Sequence, residues 1–326
     1  MRIVNGLHSE SIKLRPRVVA VGAFDGVHRG HQSLLTYLCR RAYEEGAESA
    51  IFTFEPIPAE VFRHSGHGGL RLTLRDERNA LFERQCADLA IIADFDETFR
   101  NMSARDFARD VLVGVLGTKV LVASERHTFG RHAEADVRRI AELGSELGFR
   151  VEVLGTVALL GGVPIASTRV RRVLWEGDVA KAATLLGRPY SLCGTVVRGR
   201  GVGRTLGFPT ANIAIPPAKL LPADGVYVAF AYADDLPPTP AAVNIGPAPT
   251  FGVAERLVEA HLIGADVDLV DRNVCLGFVE RLRDAVKFEG KEALKAQIGA
   301  DIATASEICS RYGAFDAFEC PNCGLT

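Results

Sequence analysis

The segment Val21-Gly-Ala-Phe-Asp-Gly-Val-His-Arg-Gly-His31 sets two imidazoles, His28 and His31, three residues apart in a run punctuated by glycines. Gly22, Gly26 and Gly30 let the backbone approach a ligand closely. A helix beginning after Gly30 turns unpaired N–H groups toward phosphate oxygens. Two imidazoles beside a phosphate can hydrogen-bond the charge that builds on a phosphoryl group under attack. A tight turn with two solvated histidines is the plain alternative. The place of the run, where a strand turns into a helix, favours chemistry.

A second cluster, Ser167-Thr-Arg-Val-Arg171, offers hydroxyls, helix-start N–H groups and Arg169 or Arg171 as a phosphate clamp. Alone it reads as a capped helix with exposed arginines; beside the histidine turn it gains weight. The third is Gly199-Arg-Gly-Val-Gly-Arg-Thr-Leu-Gly-Phe-Pro-Thr-Ala-Asn212. It lacks the flanking βαβ unit of a dinucleotide fingerprint, and the near-zero net charge argues against an arginine–glycine nucleic-acid arm. A flexible glycine loop over phosphates, followed by Thr210 and Asn212 as oxygen ligands for Mg2+, fits better. Cys320-Pro-Asn-Cys323 lacks the four ligands of a zinc knuckle and reads as two thiols in a tail.

These residues need elements to hold them. The apolar runs Val18–Ala23, Ala50–Phe54, Leu89–Ala93, Lys119–Ala123 and Arg150–Leu154 are short and unbroken, as strands buried on both faces should be. Helical spacing lies between them: Gln32–Glu45 puts Leu34, Leu35, Leu38 and Ala42 on one face and stops at Gly46. Thr73 and Ser103, each with an acid three residues on, read as helix caps; Leu143, Leu147 and Gly148 close a further helix. The alternation implies a parallel, doubly wound sheet. Two short helices follow, one capped by Ser167 or Thr168 and ending at Gly177, the next capped by Asp178 and ending at Gly187. From Arg188 the texture changes to the β-prone runs Ser191–Val197, Val226–Tyr232, Ala241–Ile245, Leu257–Ile263 and Asn273–Leu282, spaced as in an antiparallel barrel. A helix pattern with Leu294, Ile298, Ile302 and Ala305 on one face comes last. The expected organisation is α/β and then β: residues 1–186, residues 187–312, and a flexible tail 313–326, with the boundary near Leu186–Arg188.

The chain has 326 residues, 48% hydrophobic and 24% charged, enough for two cores and unlike a disordered protein. Lys plus Arg number 38 against 40 Asp plus Glu, a formal net charge of -2. That balance supplies neither the field of a duplex-binding protein nor a polybasic membrane surface, so no nucleic-acid or membrane partner is expected. The uncharged stretch 236–254 carries Pro237, Pro238, Pro240, Pro247 and Pro249 and cannot be a helix. Met1 to Arg17 has no apolar secretory core, and a cytoplasmic setting is expected. Seven scattered cysteines, an odd number, are expected to be reduced thiols. Nothing indicates an oligomeric state.

From about Val18 to Ala305 the chain resembles the bacterial bifunctional riboflavin kinase/FMN adenylyltransferases, or FAD synthetases. The resemblance is carried by the histidine turn, Thr53-Phe-Glu-Pro56, Ser167–Arg171, Leu186-Gly-Arg-Pro-Tyr190 and Gly203-Arg-Thr-Leu-Gly-Phe-Pro-Thr-Ala-Asn212. It continues through Asp224-Gly-Val-Tyr227, Asn244-Ile-Gly246, Pro249-Thr-Phe251 and Glu259-Ala-His-Leu262. It implies a Rossmann-like nucleotidyltransferase domain, then a riboflavin kinase barrel with a terminal helix. It implies that the barrel transfers the γ-phosphoryl of ATP to the riboflavin 5′-hydroxyl, with Gly203, Arg204 and Gly207 over the phosphates. Thr210 and Asn212 would hold Mg2+ with the ATP, and Glu259 would be the general base, a task that suits a carboxylate. It implies that the first domain transfers AMP from a second ATP to FMN, giving FAD and pyrophosphate. Gly22, Phe24, Asp25, His28, Gly30, His31, Ser167, Thr168 and Arg171 would then surround that nucleotide, with His28 and His31 catalytic. Flavin-binding residues are not indicated.

The departures from the family pattern are specific. The family's G-x-D/N-F-x-F-G is Ser124-Glu-Arg-His-Thr-Phe-Gly130 here, with Arg126 at a small polar position and His127 at an aromatic one. A later glycine is Ala135, P-H-P is Pro56-Ile-Pro58, and S-S-T is Ala166-Ser-Thr168. In the kinase half the arginine before P-T-F is Ala248, and the aspartate and tyrosine after Glu259-Ala-His are Gly264 and Val270. Three other readings stay open. Only the kinase activity is retained, the chain is a weakly turning-over flavin or nucleotide regulator, or it transfers nucleotides to a different phosphorylated substrate.

Overall fold

The computed structural model describes residues 1–7, 12–62, 69–155, 159–199, 201–234, 236–247, 256–265 and 267–312. Ala248, the Pro249-Thr-Phe251 motif and the tail with Cys320 and Cys323 lie outside them. By internal packing the chain forms two units: Met1–Gly66 with Arg78–Ala166, and His67–Glu77 with Ser167–Thr326.

In the first unit six parallel strands lie in the order β1-β4-β3-β2-β5-β6: β1 (Arg2–Asn5), β2 (Arg17–Val21), β3 (Glu48–Glu55), β4 (Leu89–Asp94), β5 (Thr118–Ser124) and β6 (Arg150–Leu154). β2 is buried along its whole length, which is why its sequence is continuously apolar after Arg17. Val18 and Ala20 pack with Leu35, Leu38 and Phe82 on one face of the sheet, Val19 and Val21 with Phe52, Phe107 and Leu112 on the other. Full burial of a side chain such as Phe52 is worth about 1.5–3 kcal/mol. The covering helices are α1 (Arg29–Glu45), α2 (Pro58–Phe62), α3 (Arg75–Glu83, in this unit from Arg78), α4 (Glu97–Arg100), α5 (Ala104–Asp106) and α6 (Val137–Leu147). α5 is capped by Ser103, as expected, and runs on into a π-helical stretch, Phe107–Val115. A short hairpin, β7 (Leu159–Leu160) and β8 (Val163–Pro164), ends the unit. The chain moves outward from β2 to β3 and β4 on one side and to β5 and β6 on the other. The crevice between β2 and β5 is therefore the switch point where such sheets bind ligands.

The second unit begins with α7 (Ser167–Trp175) and α8 (Val179–Leu186). Asp178 caps α8 by accepting from the Lys181 N–H at 2.9 Å. Ser167 is the first residue of α7 itself, so Ala166 stands at the cap position. Six antiparallel strands then close into a barrel: β9 (Ser191–Val197), β10 (Ala211–Ala214), β11 (Gly225–Ala233), β12 (Leu236–Pro247), β13 (Arg256–Leu262) and β14 (Asn273–Arg283). The helix α9 (Val202–Thr205) sits between β9 and β10, and α10 (Lys291–Tyr312) packs Ala305, Ile308 and Cys309 on the barrel. Residues 69–77 belong here. Arg71 exchanges backbone bonds with Ala218 and Leu220, and Arg171 Nε donates to the Leu70 carbonyl at 2.7 Å. Lys219 Nζ donates to Leu72 O at 2.9 Å and to Glu77 at 2.5 Å, with both partners of the ion pair buried.

The expectation of reduced thiols throughout is corrected: Cys39 is bonded to Cys86 and Cys193 to Cys275. Sequence separations of 47 and 82 hide pairs that only folding creates. The register of β9 with β14 sets Cys193 directly opposite Cys275. Among the described residues Cys309 is free and buried.

Candidate active sites

The turn after β2 carries the two histidines. His28 caps α1, its Nδ1 accepting from the His31 N–H at 3.3 Å. One of the helix-start N–H groups expected to meet phosphate is therefore occupied, and the neutral His28 ring holds its proton on Nε2. The two rings stack with centroids 3.6 Å apart. Gly30 is closely packed: a Cβ there would lie 3.2 Å from the His28 ring and from the Ile165 carbonyl, so a larger residue would press both to give way. Burial, then the neighbouring His28 and His127, hold the His31 imidazole well below its ordinary pKa, so it is neutral near pH 7. Its Nδ1 is buried with no hydrogen-bond partner among the described residues, as a group awaiting a ligand would be. Phe24 and Asp25 turn inward: both are buried, and Phe24 packs edge-on against His31 and Phe82.

Phe24 (φ 49) and Val27 (φ 37) hold left-handed backbone, a costly state for a β-branched residue. The carbonyl of Ala23 anchors this turn, accepting from Thr53 Oγ1 at 3.3 Å and Arg78 Nη1 at 3.1 Å. Arg78 is fully buried and also donates to Phe54 O and Glu55, each at 3.1 Å, which ties the ends of β2 and β3 together. Sequence reading missed Arg78, because an arginine in a helix pattern looks like surface charge.

Beside the turn lies a cavity of about 480 Å³ walled by Phe54, Phe62, Phe95, Phe99 and Phe129. These phenylalanines come from the ends of different elements, so their convergence was not legible in the sequence. The loop Ser124–Gly130 crosses the switch point from β5. His127 stacks on Phe129 at 4.4 Å, and burial pushes its imidazole down to about 4. Arg126 is exposed. Ile57, in place of the family's imidazole, is a core residue. Ala135 is buried and pairs with Phe129 through backbone bonds of 2.8 and 3.1 Å that close the loop. Ser167, Thr168 and Arg171 belong to the other unit by packing, where Arg171 is buried against Leu70.

In the barrel the site is a row set by strand register. Glu259 on β13 lies opposite Asn212 on β10 and opposite Asn244 on β12. Residues opposite one another share a face with Cβ atoms roughly 4.5–5.5 Å apart. Glu259 is half-buried while Val258 and Ala260 fill the barrel, so the row projects outward. Asn244 was quoted within a motif without a role; the register brings it beside the carboxylate. The glycine loop closes through the Phe208 N–H to Gly203 O at 2.9 Å. Gly203 is required there: a Cβ would lie 2.4 Å from Phe208 O and 3.2 Å from Thr210 Oγ1. Glu259, Asn244, Thr210 and Phe208 line a cavity of about 280 Å³, whose polar margin is the bidentate pair of Arg283 with Asp301. On the other side Arg204, Thr210, Asn212 and Asp268 line a cleft of about 460 Å³. Gly207, in the loop between Arg204 and Phe208, holds φ +89.

Among the described residues no group of three or more His, Cys, Asp or Glu is placed to hold a metal. Thr210 and Asn212 offer two neutral oxygens, a donor set that fits Mg2+ completed by phosphate oxygens and water and not a dedicated protein cage.

Two separate modules for nucleotide chemistry define the class: a nucleotidyltransferase unit joined to a phosphotransferase barrel. Residues 10–169 match the family model for FAD synthetase, and residues 186–309 that for riboflavin kinase. The bifunctional riboflavin kinase/FMN adenylyltransferase of Escherichia coli (strain K12) is 34% identical over 308 residues, covering 94% of this chain and 97% of that protein. Its counterpart in Pseudomonas fluorescens is 36% identical over 311 residues, covering 95% and 98%. The chain belongs to the bifunctional riboflavin kinase/FMN adenylyltransferase family. A solved structure described as a macrolide-efflux protein from Streptococcus pneumoniae superposes with a TM-score of 0.82 at 26% identity, covering 96% of this chain and 99% of that one. Among the described residues no helix is long and apolar enough to cross a membrane.

Proposed function

We propose that this chain phosphorylates riboflavin to FMN with one ATP and adenylylates FMN to FAD with a second, releasing pyrophosphate. The observation that carries the reading is that both modules, each with its own cavity, stand in one chain whose relatives align from end to end.

In the barrel, Glu259 accepts the proton of the riboflavin 5′-hydroxyl as that oxygen bonds to the γ-phosphorus and the bond to the β–γ bridging oxygen breaks, releasing ADP. Gly203, Arg204 and Gly207 cover the phosphates. Thr210 and Asn212 would hold Mg2+ with the ATP; the ion, when bound, neutralises phosphate charge. The 280 Å³ cavity beside Glu259 takes the flavin, and the 460 Å³ cleft takes the nucleotide. In the first unit an FMN phosphate oxygen attacks the α-phosphorus and pyrophosphate leaves. Neutral His28 and His31 donate hydrogen bonds to the charge that gathers on the oxygens. The phenylalanine-walled cavity suits the flat ring system of FMN, since aromatic faces prefer offset or edge contacts with another ring. Gly22 and Gly30 keep the turn open to the nucleotide. The functional boundary falls near Leu186–Arg188. The setting is cytoplasmic, where ATP is supplied.

The test is a time course with riboflavin and MgATP, separating FMN from FAD by chromatography. FMN should accumulate before FAD, because Arg126 and His127 alter the loop that orients the adenylyl acceptor. Displacing a reactant by about an ångström costs up to roughly a hundredfold. Arg126→Asn should narrow the gap. FMN without FAD would leave a kinase alone, and flavin binding without turnover would leave a regulator.

A further inference from the structure

His261 follows Glu259 by two residues on β13, so both side chains leave the same face of the strand, and both line the 280 Å³ cavity. Asn212 stands opposite Glu259 and Ala211 opposite Ala260, and Thr210, the residue before this paired segment, lines the same cavity as His261. His261 Nδ1 lies 2.7 Å from the carbonyl oxygen of Pro209, the residue immediately before Thr210. A carbonyl only accepts, so the proton of this bond is on Nδ1, and in the neutral ring Nε2 remains an acceptor. The neighbouring Phe208 ring meets the imidazole edge-on with centroids 6.0 Å apart. One imidazole thus holds two consecutive residues of the loop, by a hydrogen bond and by a ring contact. Phe208 in turn closes the loop onto Gly203.

We infer that His261 is a positioning residue of the kinase reaction: through the Pro209 carbonyl it fixes the end of the glycine loop, and with it the Thr210 hydroxyl, relative to Glu259. The inference rests on the kinase reading and adds a residue to which no role has been given. It acts through Thr210, so a loose loop lowers the rate of phosphoryl transfer more than it weakens riboflavin binding.

The two ring nitrogens make this testable. Asparagine places an amide donor where Nδ1 stood, whereas glutamine reaches the position of Nε2. Riboflavin phosphorylation is measured with His261→Asn, His261→Gln and His261→Ala in the full chain, and FMN adenylylation in the same samples is the internal control. The expected result is kcat within about threefold of wild type for Asn and a loss of roughly 10- to 100-fold for Gln and Ala. The KM for riboflavin should move less than kcat, and adenylylation should be unchanged. Equal kcat for Asn and Gln, or melting shifts with kcat intact in all three, would overturn the inference and leave His261 a structural residue. A wild-type chain that forms no FMN would instead overturn the kinase reading beneath it.

Discussion

The two proposed sites would meet one demand, holding ATP phosphates against an attacking oxygen, with opposite kinds of scaffold. The first is assembled from turns at the carboxyl ends of parallel strands. Its polar groups are neutral imidazoles, and its backbone is strained at Phe24 and Val27. The second is laid out by strand register: Asn212, Glu259 and Asn244 follow from hydrogen-bonded pairing, and the loop above them is shaped by glycine. A site set by register keeps its geometry as long as the barrel does. A site built from turns depends on buried braces such as Arg78, and changes there re-aim groups directly. This chain's substitutions at Ile57, Arg126, His127 and Ala135 fall in the first kind of site.

Glu259→Gln separates the halves most sharply. It keeps shape and removes the base, so FMN formation should fall by about 10²–10⁴-fold, while FAD formation from supplied FMN stays at wild-type rate. Kinase activity within a few-fold of wild type would remove Glu259 from its role. The converse change is His31→Ala. Losing a donor to developing phosphate charge costs roughly 10²–10³-fold, so adenylyl transfer should drop by that much with riboflavin phosphorylation untouched. Equal loss in both activities would mean that His31 only supports the fold.

A third change asks whether residues 69–77 serve the barrel. Glu77→Gln removes the carboxylate that neutralises the buried Lys219 ammonium, and breaking such a pair costs about 3–5 kcal/mol. Kinase activity should melt away at markedly lower temperature, and an unchanged melting profile would show that the pair is dispensable.

The smallest effect concerns acid. The folded pKa of His127 lies at about 4, below its unfolded value of 6.5. Between those values the unfolded chain binds more protons, so stability is complete above about pH 6.5 and declines as pH falls toward 4. His31 is shifted in the same direction. His127→Phe should therefore reduce the loss of melting temperature between pH 7 and pH 5 without changing it at pH 8. An identical acid slope in both proteins would show that another group is responsible.

Much of the architecture was legible because its elements obey simple periods. Five strands of the sheet lie within about two residues of the apolar runs that predict them. What escaped had weak local signals. β1 buries only Val4, and β10 is four residues inside what reads as a loop. Thr73 was read as a helix cap, yet α3 begins at Arg75, and Leu74 N–H is held by Glu77. The phenylalanine cavity, the Arg78 brace, the 69–77 strap and the two cysteine pairs all join residues far apart in sequence. No window of sequence contains both partners of any of them.

Each reaction is proposed to have its own site, with FMN made on one chain able to reach another. Complementation between two damaged proteins tests it most directly. Glu259→Gln alone and His31→Ala alone should each fail to carry riboflavin to FAD at more than a few per cent of the wild-type rate. Mixed in equal amounts with riboflavin and MgATP, they should restore FAD formation, because one protein supplies FMN and the other adenylylates it. A mixture that makes no FAD, although each variant keeps its own half-reaction, would contradict the account, as would either variant completing both steps alone.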